Sequence, residues 1–196
     1  MACASLTKGR GLDCNRSSGG VRYLYFSVYD QITSYAYSTL SGTSEQVIDV
    51  INFGGNDIYR YTVPRGSTTI EETITGSTNA GTIFYTPTVS MVLNKITESM
   101  QEQFKLLGAT QVRIFAQLNE ELTNGHDVIV ALGMVNGMAM NAGTIDSGAS
   151  FGDRNGYTLN FDGLESIPFP MLEDYTLTPF DNAGFTINPS TEIIKS

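Results

Sequence analysis

The residues best equipped for chemistry are few and far apart. His126, the single histidine, stands in "TNGHD", and the two cysteines, Cys3 and Cys14, lie near the amino end. A Ser–His–Asp arrangement would have to use His126, but no G-x-S-x-G elbow holds a nucleophile for it. One histidine and two distant cysteines do not make a convergent metal set. "GRGLDC" opens like a dinucleotide loop but lacks the third glycine and a preceding strand, and no Walker A sequence occurs. Adjacent acids stand at Glu71–Glu72, Glu120–Glu121 and Glu173–Asp174. Neighbours on a strand point to opposite faces, so these pairs serve solvation better than acid–base work.

The richest oxygen cluster is "GDRNGYTLNFDG". Taken as a calcium loop from Asp153, it supplies ligands at Asp153 and Asn155, then puts Thr158 where the turn glycine belongs and Leu164 where a bidentate glutamate should close the cage. Two ligands do not replace the water around a hard cation. The stretch reads instead as a turn feeding a strand, with Tyr157, Leu159 and Phe161 on one face and Thr158, Asn160 and Asp162 on the other. The chain is therefore read as a non-enzyme with no cofactor and no metal.

The elements around that stretch are strands. "VRYLYFSV" is apolar on both faces, as is "DVIVALGMV", which predicts centrally placed, doubly covered strands. "ITSYAYST", "QVIDVI", "DIYRYTV", "QVRIFAQL" and "MAMNAGTI" add further strands. "STTIEETIT", after the turn "PRGS", reads as an exposed hairpin limb. In "GTIFYTPTVSMVLN", Pro87 cannot donate to a ladder, which predicts an edge strand or a bulge. Met134, Met138 and Met140 suit core filling. A single helix is expected near 97–107. Ile96, Met100, Phe104 and Leu107 form one stripe for packing on a sheet, Thr97 is placed to cap it, and Gly108 is expected to end it in the left-handed conformation.

The expected fold is mainly β: an antiparallel β-sandwich or barrel with one flanking α-helix and extended terminal arms. A single domain covers 1–196, with an N-terminal arm over 1–20, the sandwich over 21–176 and a C-terminal arm over 177–196. The chain opens without a secretory leader pattern and contains no eighteen-residue apolar run. It is read as soluble, without a membrane partner and made in a reducing cytoplasm, both thiols free; a Cys3–Cys14 bridge is the alternative.

Charged residues make up 16% of the chain and the net charge is −9. So few surface charges point toward assembly with copies of itself. The charge is unevenly placed: four basic residues against Asp13 make residues 1–22 net +3. Lys8, Arg10 and Arg16 of that arm are candidates for contacts between subunits, since a basic segment can lie across an acidic neighbour. An acidic body excludes tight binding to the phosphate backbone but permits DNA to slide past.

From about Gly81 to Leu172, the order of parts is a strand, a short helix ending "LLGAT", the hairpin "VRIFAQL…DVIVALGMVNGM", and then "GTIDSGASFGDRNGYTLNFDGLESIPFPML". This run resembles the tail tube proteins of tailed bacteriophages. The residues that carry the resemblance are Gly143, Gly148, Gly152, Asp153, Asn155, Gly156, Tyr157, Thr158, Leu159, Phe161, Gly163, Glu165, Pro168 and Pro170; Met171 stands where a phenylalanine is expected. The resemblance implies a virion structural protein of the tail, assembled in the host cytoplasm. It implies subunits that form stacked homohexameric rings around a lumen that delivers DNA without binding it specifically. It also implies other tail proteins as partners, such as tape measure, terminator or sheath. A tube subunit of a bacterial secretion or injection system is an alternative within the same reading. A carbohydrate-binding sandwich is the rival from another class, set against by the absence of tryptophan.

Overall fold

Apolar residues at period two run through most of the chain, and strands form accordingly. The computed structural model describes residues 17–38, 47–122, 125–173, 186–188 and 190–195. Among these, the strands are β1 (Val21–Val28), β2 (Ser34–Tyr37), β3 (Val47–Asn52), β4 (Ile58–Thr62), β5 (Thr69–Ser77) and β6 (Thr82–Asn94). After helix α1 (Glu98–Leu107) come β7 (Val112–Glu121), β8 (Asp127–Leu132), β9 (Met138–Asp146), β10 (Gly156–Gly163), β11 (Met171–Leu172), β12 (Thr186–Asn188) and β13 (Ile193–Lys195). The fold is mainly β with one flanking α-helix, as expected.

Hydrogen bonding orders one long run as β12-β13-β4-β1-β7-β8-β11-β3-β2 and a second group as β9-β10-β6-β5, the two meeting where Val112 of β7 pairs with Met138 of β9. Pairing is antiparallel throughout except between β11 and β3.

The central strands β1, β7 and β8 bury both faces. Leu24, Phe26, Ile114, Ala116, Val130 and Leu132 face a layer built from β6, β10 and α1: Val89, Met91, Phe104, Tyr157, Leu159 and Phe161. Their neighbours Tyr25, Phe115, Ile129 and Ala131 turn the other way, toward Ile48, Ile51, Phe53, Ile58, Leu172 and Ile194. Phe26 meets Phe161 at 5.2 Å between ring centroids, and Phe53 meets Phe115 at 6.2 Å. Full burial of each such ring contributes about 1.5–3 kcal/mol. A one-residue slip of β7 would exchange its two buried sets, so register is fixed from both sides. Ile194 belongs to the second layer, and β13 pairs with β4, so the end of the C-terminal stretch is part of the body.

The helix presents the expected stripe: Phe104 is buried, and Ile96, Met100 and Leu107 pack against the same layer. Met134 and Met138 are buried, as core filling requires. Two local expectations are corrected. Gly108 is right-handed (φ −69°, ψ −17°), and the helix ends by tightening: Ala109 N–H donates to Leu106 O at 3.0 Å. A Cβ there would come within 3.2 Å of Met140 Cε, the movable end of a half-buried side chain. Pro87 lies in an interior strand, because β6 pairs with β5 on one side and with β10 on the other. Its missing donor falls in a gap of the β6–β10 ladder, between the Thr88–Asp162 pair and the isolated bridge from Tyr85 to Glu165. No bulge is needed.

Candidate assembly surfaces

The sheet β9-β10-β6-β5 buries one face and shows the other to solvent. Toward the core stand Met91, Val89, Leu159 and Phe161. Pleating then turns Glu71 and Thr73 of β5, Thr86, Thr88 and Ser90 of β6, Thr158, Asn160 and Asp162 of β10 and Thr144 of β9 outward. Across the four strands there are four acids, Glu71, Glu72, Asp146 and Asp162, and no lysine or arginine. Glu72 turns inward and accepts Phe169 N–H at 2.9 Å. Arg154, from the turn before β10, donates to the outward Thr158 Oγ1 at 2.8 Å, so the surface is hydroxylic and amidic with Arg154 among its acids.

This sheet also has two open edges among the described residues. β5 pairs with β6 alone, and β9, past its one bridge at Met138, pairs with β10 alone. An open edge offers a row of backbone donors and acceptors to another chain.

The residues of the turn and of β10 hold this sheet in place. Asp153 Oδ2 accepts the Ala149 and Ser150 amides at 3.0 and 2.7 Å. The Asn155 backbone carbonyl accepts Lys95 N–H at 2.6 Å, and its Oδ1 accepts Ile96 N–H at 3.1 Å. The oxygens that looked like calcium ligands thus serve backbone amides. Gly156 has no room for a side chain, since a Cβ would stand 2.0 Å from Leu93 O. Tyr157, buried against Phe104 at 4.7 Å between ring centroids, reaches the N-terminal end of α1. Thr97 sits at the capping position as expected, but its hydroxyl makes no capping bond. The Tyr157 hydroxyl meets the Thr97 backbone instead.

Behind the far end of β10 lies a buried ionic centre that local sequence patterns did not reveal. Glu165 is 5% exposed and accepts the amides of Val135 and Asn136, each at 2.9 Å. Burial raises its pKa, opposed by those amides and by the charge of Arg113. Arg113, 7% exposed, donates to Met134 O at 3.2 Å and to Tyr29 O at 2.9 Å, and its guanidinium lies 4.1 Å from the Tyr29 ring centroid. Tyr29 in turn donates its hydroxyl proton to Val135 O. The loop 133–137 is therefore clamped from two sides. Gly133 and Gly137 permit its path with φ of 72° and 80°. The available signal was an arginine inside the otherwise apolar "VRIFA".

The hairpin of β5 and β6 runs past the end of β10. There Ile74, Ile83 and Phe84 are exposed, and Leu164 is exposed beside them. His126 leads into β8, where its carbonyl accepts Leu122 N–H at 2.8 Å. Lys8, Arg10 and Arg16, with Cys3 and Cys14, lie outside the described residues. No family model, curated protein or solved structure matches the chain.

Proposed function

We propose that the chain is a structural subunit of a tube, of the kind its resemblance to phage tail tube proteins implies: closed rings stacked around a lumen, with β9-β10-β6-β5 facing the lumen. The observation that carries this reading is the combination in that one sheet of two open edges with an outer face whose strands contribute hydroxyls, amides and carboxylates but no lysine or arginine, Arg154 of the preceding turn being the cation held against it. Pairing β5 of one copy with β9 of the next is a head-to-tail contact, and such contacts close into rings when the rotation permits. Closure abolishes both edges at once. The bore then presents threonine, serine, asparagine and carboxylate, with Arg154 held on Thr158 as the cation beside them, and a passing phosphate backbone finds few cations whose neutralisation would release counterions. Six subunits per ring, the virion tail as location, and tape measure, terminator or sheath as neighbours follow from the resemblance.

Negative-stain microscopy of the purified protein at rising concentration tests the reading. Tubes with a stain-filled lumen are expected. A 21.3 kDa monomer alone, held across about a hundredfold concentration range, would sink it.

A further inference from the structure

The Glu165 carboxylate sits in a cup made of backbone. Its Oε2 accepts Val135 N–H and its Oε1 accepts Asn136 N–H, each at 2.9 Å, and Gly137 N–H bonds the same carboxylate. Three successive amides turned toward one anion form a nest, a backbone concavity suited to carboxylate or phosphate. Gly137 closes the turn at φ 80°, a conformation that favours glycine. Arg113 adds a buried positive charge. Its Nε and Nη1 donate to the carbonyls of Met134 and Tyr29, and its charge favours an anion at the Glu165 position.

The backbone of Glu165 is anchored separately from its side chain. Its N–H donates to Tyr85 O at 2.8 Å, and its carbonyl accepts Tyr85 N–H at 2.9 Å. Asn136 Nδ2 also donates to the neighbouring Leu164 O at 2.6 Å. Truncation of the side chain therefore leaves the segment and the loop facing each other across an emptied nest. The atoms that Glu165→Ala removes, Cγ, Cδ and both carboxylate oxygens, are those of an acetate ion. A surface pocket of about 360 Å³, with Asn136, Leu164 and Ser166 on its wall, reaches Glu165. A small ion thus has a path from solvent.

We propose that residues 135–137 form a binding site for a small carboxylate, filled in the native chain by the Glu165 side chain as an internal ligand. Without that ligand the amides lose their acceptor and the buried Arg113 charge loses its compensation. Occupancy of the nest holds this side of the 133–137 loop in place. The nest belongs to the single chain, so it stands whether or not the chain forms tubes.

The test is Glu165→Ala in the full chain, melted in sodium acetate, sodium chloride and acetamide at matched concentrations up to about 200 mM. Acetate should raise the variant's melting temperature by several degrees more than chloride does. Acetamide, of similar size but uncharged, should not. The wild type, its nest already filled, should respond to acetate and chloride alike. Amide exchange followed by NMR gives the local measure. Val135 and Asn136 should exchange about tenfold faster in the variant than in the wild type and slow again in acetate. Equal responses to acetate and chloride, with those amides still fast, would overturn the site. Equal rescue by acetamide would overturn it too, by showing that only a cavity had been filled. So would a wild type that gains as much from acetate as the variant, since the ion would then bind elsewhere. If the variant does not fold in chloride, the same three solutes are compared in refolding. Folded protein recovered in acetate alone supports the nest, and recovery in none of them overturns it.

Discussion

Tyr157 and Thr97 are joined by two hydrogen bonds through one hydroxyl. The phenol donates to the Thr97 carbonyl and accepts its amide, each at 3.1 Å, across sixty residues of sequence. A β10 side chain thus does at the helix N-terminus what a capping side chain does elsewhere. Tyr157→Phe keeps the ring against Phe104 and removes both bonds. A loss of about 1–2 kcal/mol is expected in urea unfolding, with lower helical signal before the main transition. Unchanged stability would mean that water replaces the phenol at no cost.

Gly156 and Gly152 separate crowding from mere resemblance. A Cβ at Gly156 would meet Leu93 O at 2.0 Å, whereas nothing lies within 4 Å of one at Gly152. Gly156→Ala should cost about 3 kcal/mol or prevent folding, by forcing β10 away from β6. Gly152→Ala should change stability by less than about 0.5 kcal/mol. Thermal melts of the two variants side by side check the contrast, and equal melting temperatures would refute it.

Glu165 has a definite pH signature. Burial raises its folded pKa above the unfolded value, so the folded state holds the proton more tightly. Its contribution to stability is then fully present below the unfolded carboxylate value, about 4.3, and is lost as pH rises through the folded pKa. Glu165→Gln cannot titrate. The wild type minus variant difference in melting temperature should therefore shrink from pH 4 upward until Glu165 is fully ionised. A difference that grows with pH would show that the Val135 and Asn136 amides and Arg113 outweigh burial.

The lumen assignment predicts a gain of unwanted binding. Asn160→Lys and Glu71→Lys place cations on the outward face at exposed positions and should leave the melting temperature nearly unchanged. Tubes of the double variant should retain double-stranded DNA at about 50 mM salt and release it near 200 mM, whereas wild-type tubes retain none. Equal DNA retention by wild type and variant would put this face outside the bore.

The alternation of apolar residues made the doubly covered strands β1 and β8 legible, and the four–four–three spacing of Ile96, Met100, Phe104 and Leu107 located α1 and its buried side. What local pattern could not supply was the extent of each partner strand. Pro87 looked like an edge residue because its fit depends on where the β10 ladder is interrupted, more than seventy residues later. Ile74 and Ile83 carry the same alternation as Ile70 and Val89, yet only the latter pair packs against the core. Arg113 and Glu165 influence each other across β7, the 133–137 loop and the end of β10, and no period links them. In 143–165 only part of the demand is local: Asp153 accepts the Ala149 and Ser150 amides within its own turn, whereas Asn155 and Gly156 answer to Lys95, Ile96 and Leu93 at the far end of β6.

The thirteen-residue strand β6 also sets how the subunit bears load along its length. Tension along β6 acts at right angles to its ladder bonds with β5 and β10, which lie across the strand direction. The bonds are then sheared together rather than peeled one after another, so a pull along the strand must break many at once. A sideways force on the hairpin tip meets only the pairs nearest to it. The subunit therefore resists a pull along β6 more than a sideways push on the hairpin tip, as a laminate resists load along its plies.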